Sequence, residues 1–246
     1  MALTAAPEDQ ALLLDLQAID TRLQQLAARI ARLPEKAALI ALVAEQDDVQ
    51  RSLVEQNGTL EDARLELARI ESDVAVVEAR AARDRDRLAT SSSVKDVEAL
   101  EQELAALAGR QSDLEDIELA VMETVDTRET AVAATQARLA ELAEAIAAAT
   151  ADRDAALGVI EDERIAASAA RKGLEVRIPA DLLALYEKQR ARYGTGASHL
   201  RGGVSSASGV ALNGTDLERV RAAAPDEVLL CPDSSAILVR TAESGL

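Results

Sequence analysis

Few side chains in this sequence could do chemistry. There is one histidine, His199, and one cysteine, Cys231. His199 stands in a Gly/Ser-rich stretch with no base or nucleophile near it, and reads as an exposed loop residue. Cys231 closes the apolar run Val228-Leu-Leu, which signals burial rather than nucleophilic use. Arg201-Gly-Gly lacks the GxxxxGK[ST] spacing of a phosphate-binding loop. The many carboxylates fall on helix surfaces, where solvated charge is their ordinary role. No catalytic set emerges, and a non-enzyme is expected. Binding chemistry remains. Arg171 to Arg221 holds nine basic and five acidic residues. Within it Lys188, Arg190, Arg192 and Arg201 lie around Tyr186 and Tyr193, offering cations for phosphates and rings for stacking. This patch is the candidate contact for RNA or DNA, set against the reading of an ordinary mixed-charge helix with its tyrosines packed inward.

The elements that would position such a patch are declared by period. Leu12, Leu16, Ile19, Leu23, Leu26, Ile30 and Leu33 step by fours and threes. Leu39, Leu42, Val49, Leu53, Leu60, Leu67, Ile70, Val74 and Val77 repeat the alternation, and a third run extends from Val97 to Ile146. An apolar residue every 3.5 positions keeps one seam facing a partner helix, which is the signature of a coiled coil. Aromatics are 1% of the chain, with no Trp and no Phe, as suits a thin seam better than a thick core. Pro7 with Glu8 and Asp9 opens the first helix. Pro34 breaks the register, so a kink is expected there. Asn57-Gly58 keeps the heptad phase and is read as continuous helix, at a cost of about 1 kcal/mol for the glycine. Thr90-Ser-Ser-Ser93 is the turn, with Ser93 as the cap of the returning helix. Residues 8–89 and 94–174 would thus fold back antiparallel as two helices of about 80 residues, an arm on the order of 120 Å long. Gly173 is read as the end of the second helix.

From Ile178 the grammar changes. Pro179 to Tyr193 reads as a short amphipathic helix, and residues 194–214 as loop with at most one irregular hairpin. Thr215-Asp-Leu-Glu218 reads as a capping box opening a helix to Ala224. Val228–Cys231 and Ala236–Val239 read as strands joined by Pro232-Asp-Ser-Ser235. The expected fold is mainly α: a long antiparallel coiled-coil hairpin over 1–177, with its turn near 89–95 and a kink near 34, then a small α+β domain over 178–246. The expected core of that small domain is Leu200, Val210, Leu212, Leu217, Val220, Val228, Leu230, Ile237 and Val239.

Charge bounds the partners. Of the net −17, residues 171–246 carry ten basic against nine acidic groups, so the first 170 residues hold about −18. An acidic arm repels nucleic acid and anionic lipid. No run of about 18 apolar residues occurs, and the first seven residues lack a basic region followed by an apolar core. A cytoplasmic protein that engages no membrane is expected.

The layout resembles the bacterial C4-type zinc-ribbon proteins that carry a long N-terminal coiled-coil hairpin. The resemblance rests on Val94-Lys-Asp-Val-Glu-Ala-Leu100 after the turn, on Ile178 to Tyr193, and on Thr215-Asp-Leu-Glu with Pro225-Asp-Glu-Val228 before the final hairpin. It implies one zinc held by two CxxC knuckles. Those knuckles fall on Ser205 and Ser208 and on Cys231 and Ser234, so three of four ligands are serine. His199, Asp216 and Asp233 are the nearby groups that could make up the number, and no regular spacing links them. Zinc prefers four thiolate or imidazole ligands, so neither a metal nor any other cofactor is expected here. The resemblance further implies an adaptor or scaffold whose arm meets a protein partner in transcription-related or chaperone-like work. An alternative is a regulator that binds RNA polymerase through an acidic tip at Asp84, Asp86, Asp96 and Glu98.

Overall fold

The computed structural model describes residues 3–246 and is mainly α, with a long helical hairpin and a small C-terminal sheet. The helices are α1 (Pro7–Ala31), α2 (Pro34–Thr90), α3 (Val94–Glu175), α4 (Ala180–Tyr193) and α5 (Gly214–Ala222). The strands are β1 (Ala197–Arg201), β2 (Val204–Ser205), β3 (Leu229–Leu230) and β4 (Ile237–Val239), followed by a 3₁₀ turn, Ala242–Ser244. Two compact units emerge: Glu35–Ala151, and the chain up to Pro34 together with Asp152–Leu246.

In the unit Glu35–Ala151 the expected seam is the observed one. Leu60, Ala63, Ile70 and Ala81 of α2 are buried, as are Leu107, Leu114, Val132 and Leu142 of α3. Thr135 Oγ1 donates to Gln56 Oε1 at 2.8 Å, Arg64 meets Glu129 at 2.6 Å, and Arg80 meets Glu103. Partners rise along α2 as they fall along α3, which fixes an antiparallel register. These exposed ion pairs contribute little individually. The seam does the holding. Ser93 caps α3 as expected, its Oγ accepting from Asp96 N at 3.4 Å and its carbonyl from Val97 N at 3.0 Å. Gly58 lies inside α2 without breaking it.

In the second unit, α1 ends at Ala31, where Arg32 N donates to Ala28 O and Arg29 O. Leu33 then packs with Leu26 and Ile160 before Pro34 starts the next helix. The break read from the register is real. α3 runs two residues past Gly173, which is helical rather than terminal.

The sheet order is β2-β1-β4-β3. Its centre is a parallel pairing of β1 with β4, Ala197 opposite Ile237 and His199 opposite Val239. Alternation along β4 builds two cores. Ile237 and Val239 face Leu13, Leu16, Ile178, Leu182, Tyr186 and Ala197, whereas Leu238 faces Leu200, Leu212, Val220, Leu229 and Cys231. Gly202 and Gly203, both at positive φ, form the two-residue turn between β1 and β2. The segment ahead of α1 joins as well: Ala5 N donates to Asp226 O at 2.8 Å and Val228 N to Leu3 O at 3.0 Å.

Several expectations are corrected here. α5 is capped by Asn213, whose Oδ1 accepts from Asp216 N at 2.9 Å, so the helix starts at Gly214 and no Thr215 capping box forms. Asn has the better side-chain geometry for that role, and it stands two residues upstream. Val210 and Leu230 are exposed, and the sheet's first core draws Leu13 and Leu16 from α1. His199 lies on β1, half-buried, with Nε2 2.8 Å from Thr241 Oγ1. The carbonyls at the end of α5 are gathered by Arg240, which donates to Ala223 O, Ala224 O, Pro225 O and Glu227 O at 2.6–3.1 Å.

Candidate binding surface

The six residues of the candidate nucleic-acid patch separate into two groups. On α4, Leu182, Tyr186 and Gln189 are buried at positions i, i+4 and i+7, which marks them as the inward face. Tyr186 is therefore a core residue. Its hydroxyl donates to Asp20 Oδ2 at 2.7 Å and lies 3.3 Å from Gln17 Oε1. Burial first, and the bond to Asp20 second, push its phenol well above the ordinary tyrosine value. No base can stack on this ring.

Asp20, with no exposed surface, is the hub of the arrangement. Arg171 Nε donates to its Oδ1 at 2.7 Å, and Arg190 Nη1 stands 3.2 Å from the same oxygen. Arg171 also meets Glu175 and Glu187, and Arg190 Nε donates to Glu187 Oε2 at 3.2 Å. A buried carboxylate is tolerable only when paired and hydrogen-bonded, and here α3 and α4 supply both cations. One turn earlier on α1, Gln17 Oε1 accepts from Gly196 N at 2.7 Å and Ala197 N at 3.2 Å, holding the start of β1. Gly196 is required by space: a Cβ there would stand 2.4 Å from Tyr186 Cε2.

Arg190 and Tyr186 thus leave the patch for an internal clamp, since the same charge and ring serve a buried acid better than a solvent phosphate. Lys188, Arg192 and Tyr193 remain exposed, with the Arg192 guanidinium 5.3 Å from the Tyr193 ring centroid. Arg201 is exposed but paired with Glu243 at 2.7 Å. Sequence reasoning missed Gln17 and Asp20. Both sit inside the first heptads, where polar positions read as the outer face of a coiled coil.

The two serine-rich turns prove alike in backbone. Gly209 N donates to Ser205 O at 2.8 Å with Gly209 at φ 67°; Ser235 N donates to Cys231 O at 2.9 Å with Ser235 at φ 58°. Ser205 is buried, its Oγ 2.6 Å from Ser198 Oγ and accepting from Cys231 Sγ at 3.4 Å. Burial would raise the Cys231 thiol; hydrogen bonding with Ser205 and Ser234 and to backbone outweighs it and holds the thiol below its usual value. Ser208 instead accepts from Val210 N at 3.2 Å. One thiol and three hydroxyls do not fit a tetrahedral zinc ion. Among the described residues no three His, Cys, Asp or Glu side chains converge as metal ligands.

At the turn between α2 and α3, Asp84 is buried on the seam and paired with Arg87 at 3.3 Å and Arg80 at 3.9 Å. Asp86, Asp96 and Glu98 are the exposed acids there.

A model of the CT398-like coiled-coil hairpin domain matches residues 16–194. The chain belongs to this family. The match ends before β1, so it speaks for the helices and not for the sheet. Among relatives of the CT398-like chain, proteins from two strains of Mycobacterium tuberculosis, each described as uncharacterized, are 33% identical over 237 residues, covering 96% of this chain and 97% of their own. A structure from Mycobacterium smegmatis superposes with a TM-score of 0.87 at 34% identity, covering 97% of this chain and 100% of that one. CT398 from Chlamydia trachomatis gives 0.66 at 18% identity, covering 94% and 97%, a likeness of fold alone. No helix among the described residues is long and apolar enough to cross a membrane.

Proposed function

We propose that this chain is a non-enzymatic scaffold whose helical hairpin presents its outer faces to a protein partner. The observation that carries this reading is how the hairpin's apolar residues divide. The seam side chains are consumed by α2 and α3 themselves, yet large aliphatics such as Leu65, Ile117, Leu119 and Met122 stand exposed on the outside. Exposed apolar surface along a rigid, doubly stranded element suits reversible association with protein. A photo-crosslinking residue placed in turn at Leu119, Val94 and Lys188 of the full chain, in cells, tests it. Protein adducts at Leu119 are expected. Adducts to RNA or DNA from Lys188, with none to protein from Leu119, would refute the reading and favour the C-terminal domain as a nucleic-acid contact built on Lys188, Arg192 and Tyr193. The alternative in which the tip enters RNA polymerase would draw on Asp86, Asp96 and Glu98, and predicts polymerase adducts at Val94.

A further inference from the structure

α2 carries two apolar periods. The seam repeats every 3.5 residues and is buried. A second set, Val43, Val54, Leu65 and Val76, repeats at intervals of 11 and is exposed, at 40%, 66%, 62% and 63%. An 11-residue step closes about three helical turns with a residual drift of about 20°, so the four side chains lie within a sector of about 60°. Ile40, 70% exposed, falls in the same sector. Each step advances about 16.5 Å, and the stripe runs about 50 Å along the helix. None of the described residues covers it. Gly58 lies on the same line, with open space where a Cβ would stand. No contact among the described residues calls for a glycine there, whereas a closely approaching helix would.

The charges beside the stripe say what kind of helix. Residues 43–76 contain nine acidic and three basic side chains. At about 100° per residue, Asp47, Glu55, Glu61, Asp62, Glu66 and Asp73 project on the stripe or on its open flank, against two cations there, Arg69 and Arg51, the latter paired with Asp48. Among the described residues none of these six enters an ion pair, whereas Glu45, outside that sector, is bound by Arg138. A second copy of so acidic a face would be repelled.

Resting on the scaffold reading above, we infer that the outer face of α2 from Ile40 to Val76 docks an amphipathic α-helix of a partner protein, with apolar residues repeating every 11 positions and lysine or arginine on its flanks. Apolar side chains would pack against Val43, Val54, Leu65 and Val76, and the partner's cations would neutralise the unpaired carboxylates, Asp47 and Glu61 between them included.

The test uses the full chain and a synthetic helical peptide of 33 residues, with leucines on an 11-residue repeat flanked by Lys and Arg, read by fluorescence anisotropy across a salt series. Binding is expected to weaken at least tenfold with Val54→Gln, Leu65→Gln and Val76→Gln together, and again with salt. These positions are exposed, so far-UV circular dichroism should not change. A separate Asp62→Lys, Asp73→Lys variant should weaken binding by charge alone. Failure of the native chain to bind at low salt overturns the inference. So does equal binding by the triple glutamine variant, or by a peptide of the same charge with its leucines scrambled. A native dimer that the triple variant dissociates would make a second copy the occupant and overturn it too. Crosslinkers at Leu65 and Leu119 separate the two levels of reading: protein adducts from Leu119 alone sink the stripe but keep the scaffold, and none from either position sinks both.

Discussion

Removing the Asp20 carboxylate should be the most damaging single polar change in this protein. Asp20 has no exposed surface and holds Arg171, Arg190 and the Tyr186 hydroxyl, at 2.7, 3.2 and 2.7 Å for their nearest approaches. Asp20→Ala leaves the largely buried Arg171 without its main counter-charge and the Tyr186 hydroxyl without its acceptor. Breaking a buried pair from one side costs about 3–5 kcal/mol, against about 0–1 for an exposed bridge such as Arg64–Glu129. Spread over a unit of this size, about 3 kcal/mol should lower the midpoint of thermal unfolding by roughly 10 °C. The assay is urea and thermal unfolding, followed by far-UV circular dichroism and by the near-UV tyrosine signal. Arg171→Met alone and combined with Asp20→Ala completes a double-mutant cycle, in which the second change should cost much less once the first is made. A loss below about 1 kcal/mol for Asp20→Ala, with additive singles, would refute the argument, because the network would then be worth no more than a surface bridge.

Four further outcomes follow from the same geometry. Gly196→Ala should destabilise by about 1–3 kcal/mol through its collision with the Tyr186 ring, and the loss should shrink in a Tyr186→Ala background, as denaturant titration can check. Tyr186 has its phenol pKa raised by folding, so the stability it lends is complete below the unfolded value near 10 and declines as pH rises beyond it; Tyr186→Phe should flatten that alkaline decline in the unfolding midpoint. Native Cys231, almost wholly buried, should react with an aromatic disulfide reagent only as the chain unfolds, despite a lowered pKa; rapid labelling of the folded protein would contradict its burial. Ser205→Cys, Ser208→Cys and Ser234→Cys together should give a chain that binds cobalt with the visible bands of tetrahedral thiolate, because the two turns share one backbone geometry; no uptake would show that the turns are not equivalent.

The helices were legible because a heptad seam is a local, repeated signal, and the sparser 11-residue set on α2 does not disturb its phase. Even Gly58 and Pro34 gave the right answer once phase was tracked across them. The sheet was half legible: β3, β4 and their turn carry their own chemistry, whereas β1 hides in a Gly/Ser-rich stretch and gains its identity from a parallel partner about 40 residues away. The inward place of two residues of the α4 patch was hidden for a related reason. Tyr186 and Arg190 sit beside exposed cations in sequence, but what assigns them is Asp20, 166 residues from Tyr186, and no local pattern reports a buried acceptor at that distance. The inward face of α4, set by Leu182, was the one available hint that Tyr186 points into the core.

The bridge between Thr4 and Glu227 has a consequence for how the chain is made. Residues 4 and 227 are 223 positions apart, and the sheet core needs Leu13 and Leu16 from one end with Ile237 and Val239 from the other. On the ribosome, Glu35–Ala151 can zip as soon as its second half emerges, since its contacts nest around the turn at Ser91–Ser93. The apolar face of α1 has no sheet to cover it until β4 has been synthesised, at about 5–20 residues per second more than ten seconds later. For that interval Leu13 and Leu16 are exposed to chaperones and proteases. A chain stopped short of β4 would leave them only the α3–α4 side of that core, Ile178, Leu182 and Tyr186, without the sheet.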